Sequence, residues 1–124
     1  MTKDQATELI KTYGKAWETR DSSLILTIFT LDATYFDPHE GVQEGHAGIK
    51  AYWETKVIGS QKDITFKLLN VWQDGDTVIA EWNATFIDVL RQLTIDMMEI
   101  AVFKTDGDKF SSVREYYRTS KSAA

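Results

Sequence analysis

The second half of the chain consists of four strand-like segments, roughly 63–73, 76–88, 92–104 and 109–118, and Asp74-Gly75 and Asp106-Gly107 fall between members of this series. Asp-Gly between apolar alternations signals a hairpin, because glycine accepts the left-handed backbone that a tight turn requires. The first half carries helical periodicity instead. Helices followed by consecutive strands predict an α+β fold with an antiparallel sheet, not alternating parallel units. Within 76–88, Val78, Ala80, Trp82, Ala84 and Phe86 share one face and Glu81, Asn83 and Thr85 the other, so the first set is expected against the helices. The opposite face is not fully polar. Alternation places Leu69, Val71, Ile79, Ile87, Met98, Ile100 and Val102 there, which predicts a homodimer contact through the sheet.

Between residues 4 and 19, Ala6, Leu9, Ile10, Tyr13, Ala16 and Trp17 recur at three- and four-residue steps and form one helical stripe. Asp21 or Ser22 can cap a second, shorter helix carrying Leu24, Ile25, Ile28 and Phe29. Residues 33–37 read as a short strand stopped by Pro38. A loop with Gly41 and Gly45 then leads to a third helix over about 47–58, closed by Gly59.

At 124 residues one core suffices, since folding at this size buries roughly 65% of the unfolded surface. A single domain over 1–124 is expected, ordered from about 4 to 119, with 120–124 frayed. The net charge of −5 and the lack of a Lys/Arg cluster argue against nucleic acid as a partner. With no cysteine, disulfides, thiolate nucleophiles and Cys-ligated zinc are excluded. No run approaches the about 18 apolar residues of a membrane span, and the charged amphipathic start is unlike a signal core. The expectation is a soluble cytoplasmic protein away from membranes.

The run Ala33-Thr34-Tyr35-Phe36-Asp37-Pro38, followed by Gly41, Gly45 and Ile49-Lys50-Ala51-Tyr52-Trp53, together with the ending Ser112-Val113-Arg114-Glu115-Tyr116-Tyr117, resembles the SnoaL-like branch of the nuclear-transport-factor-2-like superfamily, which includes ketosteroid isomerases. The resemblance covers about 5–119. It implies a cystatin-like cone in which three N-terminal helices pack on a curved antiparallel sheet and enclose a pocket. Aligned without insertion over 12–37, Tyr13 falls on the oxyanion-hole tyrosine of those isomerases and Asp37 on their proton-shuttling base. Registering Phe103 with the aromatic that ends the matching strand brings Glu99 onto the neutral carboxylic acid that completes their oxyanion hole. Glutamate is one methylene longer than the aspartate there, about 1.5 Å. Val113, Glu115 and Tyr117 fall on pocket-lining positions, with Glu115 where a small residue stands in the isomerases. The last-strand motif usually closes with Asp, and Arg118 replaces it here.

Each of these residues also has a plain structural role open to it. Tyr13 lies mid-stripe and can be a core aromatic. Asp37 before Pro38 can cap a turn. Glu99 alternates with Ile95, Met97, Ala101 and Phe103 among apolar neighbours, which favours its protonated form, or it can turn outward to a basic partner. Glu115 can belong to a strand shared by members of diverse activity. Three acids in one pocket would repel, so at least one should hold a proton or bind a cation. Asp37, His39 and Glu40 raise a metal site, but Pro38 separates the first two, and no metal or cofactor is expected. His46 reads as a solvated loop residue.

Three functions remain open. The first is a small-molecule enzyme, an isomerase, cyclase or dehydratase, in which Asp37 removes a proton alpha to a carbonyl while Tyr13 and Glu99 stabilise the enolate. The second is a non-catalytic pocket for an apolar or aromatic small molecule between Trp17, Trp82, Phe86, Met97 and Tyr117. The third is a dimeric association domain whose cavity is residual.

Overall fold

The computed structural model describes residues 1–124. Helix α1 (Lys3–Glu18) starts at a capping box, in which Thr2 Oγ1 accepts from the Gln5 amide at 3.1 Å and Gln5 Oε1 accepts from the Thr2 amide at 2.8 Å. Its expected stripe is the buried one, with Ala6, Ile10, Tyr13, Ala16 and Trp17 all facing the core.

The second expected helix does not form. Asp21 Oδ1 accepts the amides of Ser23 and Leu24 as a cap would, yet only a single 3-10 turn, Ile25–Ile28, comes after it. The run Ile25, Leu26, Thr27, Ile28, Phe29, Thr30 is rich in β-branched residues, whose side-chain rotamers suit a strand better than a helix. Strand β1 (Phe29–Asp37) accordingly starts four residues earlier than the sequence pattern suggests. The Gly41 to Gly45 segment, expected as a loop, contains strand β2 (Gly41–Glu44), paired antiparallel with the end of β1. Helix α2 (Gly45–Trp53) continues into a π-helical turn, Glu54–Ile58, so the fold has two α-helices and not three.

Strands β3 (Gln61–Asp74), β4 (Thr77–Asp88), β5 (Leu93–Asp106) and β6 (Lys109–Ala123) complete a six-stranded sheet of order β2-β1-β6-β5-β4-β3. Gly75 (φ +60°) and Gly107 (φ +64°) turn two of the hairpins, as the Asp-Gly signals required. The sheet is not wholly antiparallel. β1 joins β6 in parallel, with Tyr35 opposite Val113, and this pairing ties the N-terminal strands to the last one. The segment 120–124, expected to fray, pairs instead: Ser120 to Ala123 lie opposite Asp96 to Leu93.

Val78, Ala80, Trp82, Ala84 and Phe86 do face the helices and are buried. On β3 a bulge between Leu68 and Asn70 interrupts the alternation. Val71 therefore pairs with Ala80 and packs on the core side, contrary to expectation, while Trp72 pairs with Ile79 and takes the outer face.

Candidate active site

The concave side of the sheet, α1 and α2 close on an inner chamber of about 40 Å³. It shares Lys56, Gln61, Met97 and Tyr117 with a wider chamber of about 610 Å³ that also touches Phe86, Ile95 and Arg91. At about 10–15 Å³ per water, the inner space admits a group of a few heavy atoms, and a larger molecule needs the outer one.

Asp37 is placed by the β1–β2 turn. It is the last residue of β1, only 1% exposed, and its Oδ1 accepts the amides of His39 at 2.7 Å and Glu40 at 3.4 Å. The turn cap thus aims the carboxylate inward, where Tyr117 Oη donates to Oδ1 at 3.0 Å and Tyr52 Oη donates to Oδ2. Burial opposes the charge of Asp37. The Tyr52 hydroxyl, the His39 amide, the Tyr117 hydroxyl and the nearby Lys56 ammonium outweigh it and hold the carboxyl below its usual range. Asp37 is ionised at neutral pH.

A second cluster lies deeper. Tyr13 Oη donates to Glu115 Oε2 at 2.8 Å and lies 2.8 Å from Tyr35 Oη. Glu99, opposite Trp82 on β4 and Tyr117 on β6, is 3% exposed, and its Oε2 has no hydrogen-bond partner. Burial, then the charge of Glu115 and the hydrogen bond to it, push the Glu99 carboxyl well above the usual range, with the Trp82 indole acting in the opposite direction. Burial also raises Glu115, while hydrogen bonds from Glu99, Tyr35 and Tyr13 pull it back. Burial raises both carboxyls, Glu99 with no partner on Oε2 and Glu115 with the Tyr13 hydroxyl on its Oε2, and the two titrate as one coupled pair. Tyr13 and Tyr35 are held neutral, first by burial and then by the charge of Glu115.

The residues singled out from the sequence divide by place. Tyr13, Trp17, Asp37, Met97, Glu99, Glu115 and Tyr117 line the inner chamber, and Phe86 lines the wider one. Trp82 and Val113 are 0% and 1% exposed, sit in the core and line neither chamber. Trp82 still shapes the site, with its ring 4.9 Å from that of Tyr13. His46, read as solvated, has Nε2 3.0 Å from the Phe29 carbonyl and ties α2 to β1.

Tyr35, Tyr52, Trp53, Lys56 and Gln61 also line the inner chamber and were not singled out. A signal existed for four of them. Tyr35 shares the face of Asp37 by alternation on β1, and Tyr52, Trp53 and Lys56 fall within one turn of a helix surface. Gln61, which accepts from Trp17 Nε1 at 2.7 Å, carried no sequence signal. No group of three or more His, Asp or Glu side chains is arranged to hold a metal ion.

Comparison with known proteins agrees with this architecture. A putative isomerase from Bacillus subtilis superposes with a TM-score of 0.83 at 20% identity, over 95% of this chain and 90% of that one. A type 2 hexachlorocyclohexane dehydrochlorinase gives a TM-score of 0.83 at 14% identity, over 97% and 88%. A putative SnoaL-like polyketide cyclase from Shewanella denitrificans OS-217 gives 0.77 at 15% identity, over 90% and 89%. At these identities the likeness is one of fold. Among curated proteins no match is found. The model of the SnoaL-like domain matches residues 10–113, most of the chain and all of the inner chamber except Glu115 and Tyr117, and the chain belongs to that family.

Proposed function

We propose that this protein is an acid–base enzyme acting on a small organic molecule, in which Asp37 removes a proton from a carbon alpha to a carbonyl, leading to isomerisation, cyclisation or dehydration. The observation that carries this reading is the contrast between two carboxyls on one chamber: Asp37 accepts from two hydroxyls and two amides, which favour its charged form, while Glu99 is buried with Oε2 unpartnered, which favours its neutral form. Environments that push two carboxyls apart assign a base and an acid. Tyr13 and Glu99 lie at the depth of the same chamber, where charge developing on the substrate would be met. The substrate body occupies the wider chamber against Phe86, Met97 and Tyr117.

A second reading, an apolar or aromatic molecule bound unchanged, draws support from the saturation of Asp37, whose oxygens already accept from two hydroxyls and two amides. Exchange of alpha hydrogens of a ketone panel with deuterated water, monitored by NMR, separates the two. Catalysed exchange that falls at least about a hundredfold in Asp37→Asn, with folding intact, supports the enzyme. Undiminished exchange in the variant removes Asp37 from the role, and binding without exchange favours the second reading.

A further inference from the structure

The hydrogen-bond donors at the depth of the inner chamber already have an acceptor inside the protein. Tyr13 donates to Glu115 at 2.8 Å, with the Tyr35 hydroxyl 2.8 Å from that of Tyr13. Tyr52 and Tyr117 give their hydroxyls to Asp37. Glu115 thus stands where an anionic substrate oxygen would collect these donors. What remains on the wall is different in kind. Glu99 Oε2 is buried and unpartnered, and three carboxyls, Asp37, Glu99 and Glu115, are buried around the one chamber. No Arg or Lys is buried among them. Lys56 stands at the mouth, with Nζ 3.3 Å from Glu40 Oε1 and its side chain 36% exposed. Buried anions are costly unless positive charge compensates them.

The remaining lining is aromatic. The rings of Tyr13, Trp17, Tyr35, Tyr52, Trp53 and Tyr117 border the same small space, and aromatic faces attract cations most strongly where water is excluded. We propose that the inner chamber takes the ammonium group of a small organic cation, an N–H of which reaches Glu99 Oε2, with the uncharged remainder in the wider chamber. About 40 Å³ suits a nitrogen bearing one or two methyl groups. The second unpartnered polar atom on this wall, Trp53 Nε1, is a donor and fits an oxygen on the same molecule. The inference rests on the chamber being the substrate pocket, and it narrows the substrate to an amine-bearing carbonyl compound. Such a substrate brings its own positive charge to the developing enolate, in addition to the donors Tyr13 and Glu99.

The test uses three probes of one shape and different charge: N,N-dimethylethanolammonium, 3-methylbutan-1-ol and 3-methylbutanoate, titrated calorimetrically at pH 7 and matched ionic strength. The cation should bind at least about tenfold more tightly than the alcohol, and the carboxylate more weakly than either. In Glu115→Gln the advantage of the cation should fall below about threefold. Since the wild-type comparison needs no variant, a folding failure of Glu115→Gln, checked by circular dichroism, leaves the charge preference measured. Equal or tighter binding of the alcohol or the carboxylate overturns the proposal. If that happens while Asp37-dependent exchange of neutral ketones persists, the cation inference fails alone. If no probe of any charge binds and no exchange occurs, the reading of the chamber as a substrate pocket fails with it.

Discussion

Asp37 and Glu99 show how the same functional group acquires opposite character from its surroundings. Asp37 was legible as a turn cap and, through the family resemblance, as a site residue, and it is placed to serve both ends: one oxygen holds the turn amides while the side chain faces Tyr52 and Tyr117. Its replacement by Asn removes charge-assisted hydrogen bonds and should cost about 1–3 kcal/mol in urea denaturation at pH 7. Because the folded-state pKa of Asp37 is lowered, its contribution is present above the unfolded value of about 3.9 and is lost as the pH falls through the folded value. Glu99 has the opposite sign. Its folded pKa is raised, so between the unfolded value of about 4.3 and the folded value the unfolded chain has released a proton that the folded chain keeps, and stability falls as the pH rises. Gln has no such proton. Thermal melts of Glu99→Gln should therefore lose less stability than wild type between about pH 5 and 7; parallel pH profiles would mean that Glu99 is ionised in the fold.

At the level of elements, α1 and the β4–β6 hairpins were readable because period and turn chemistry agree, and their apolar faces decide their orientation. The helix expected around Leu24 fails because the strand preference of the β-branched run Ile25 to Thr30 overrides the cap that Asp21 supplies. The outward placement of Val71 fails because a bulge inserts one residue without a composition signal. The contact of α1 with β3 gives a sharp expectation. A methyl group at Gly14 would stand 2.2 Å from Phe66 Cδ1, so the ring has to move. Gly14→Ala gains about 1 kcal/mol of helix propensity, and overpacking costs about 1–3 kcal/mol. A net loss of stability by chemical denaturation is expected, and a net gain would show that Phe66 yields freely. The end of β6 offers another check. The amides of Ser120 and Ser122 in the segment paired with β5 should show slowed hydrogen exchange relative to a random chain, whereas full exchange at the random-coil rate would contradict the pairing.

For the whole molecule, the outer face of the sheet is the largest feature that the single chain leaves unused. Met98 is 67% exposed, Trp72 48%, Tyr116 47% and Ile100 37%, and the Phe36 ring lies 6.1 Å from that of Tyr116 on the same face. We propose that a second copy covers it, as an interface of about 800 Å² per partner would require. Light scattering should give twice the 14.2 kDa of one chain, falling to one chain in Met98→Lys/Tyr116→Lys; a monomeric wild type at micromolar concentration would refute the dimer. The α+β class, the turns of the last strands, the buried stripe of α1 and the family were determined by the sequence alone, since each rests on local periodicity or a contiguous motif. The tertiary structure alone decided the parallel union of β1 with β6, the two chambers, and the hydrogen bond that brings Glu115 to Tyr13. Those depend on which side chains from distant segments meet in a space without water, and burial and charge there act through distances that no spacing along the chain encodes.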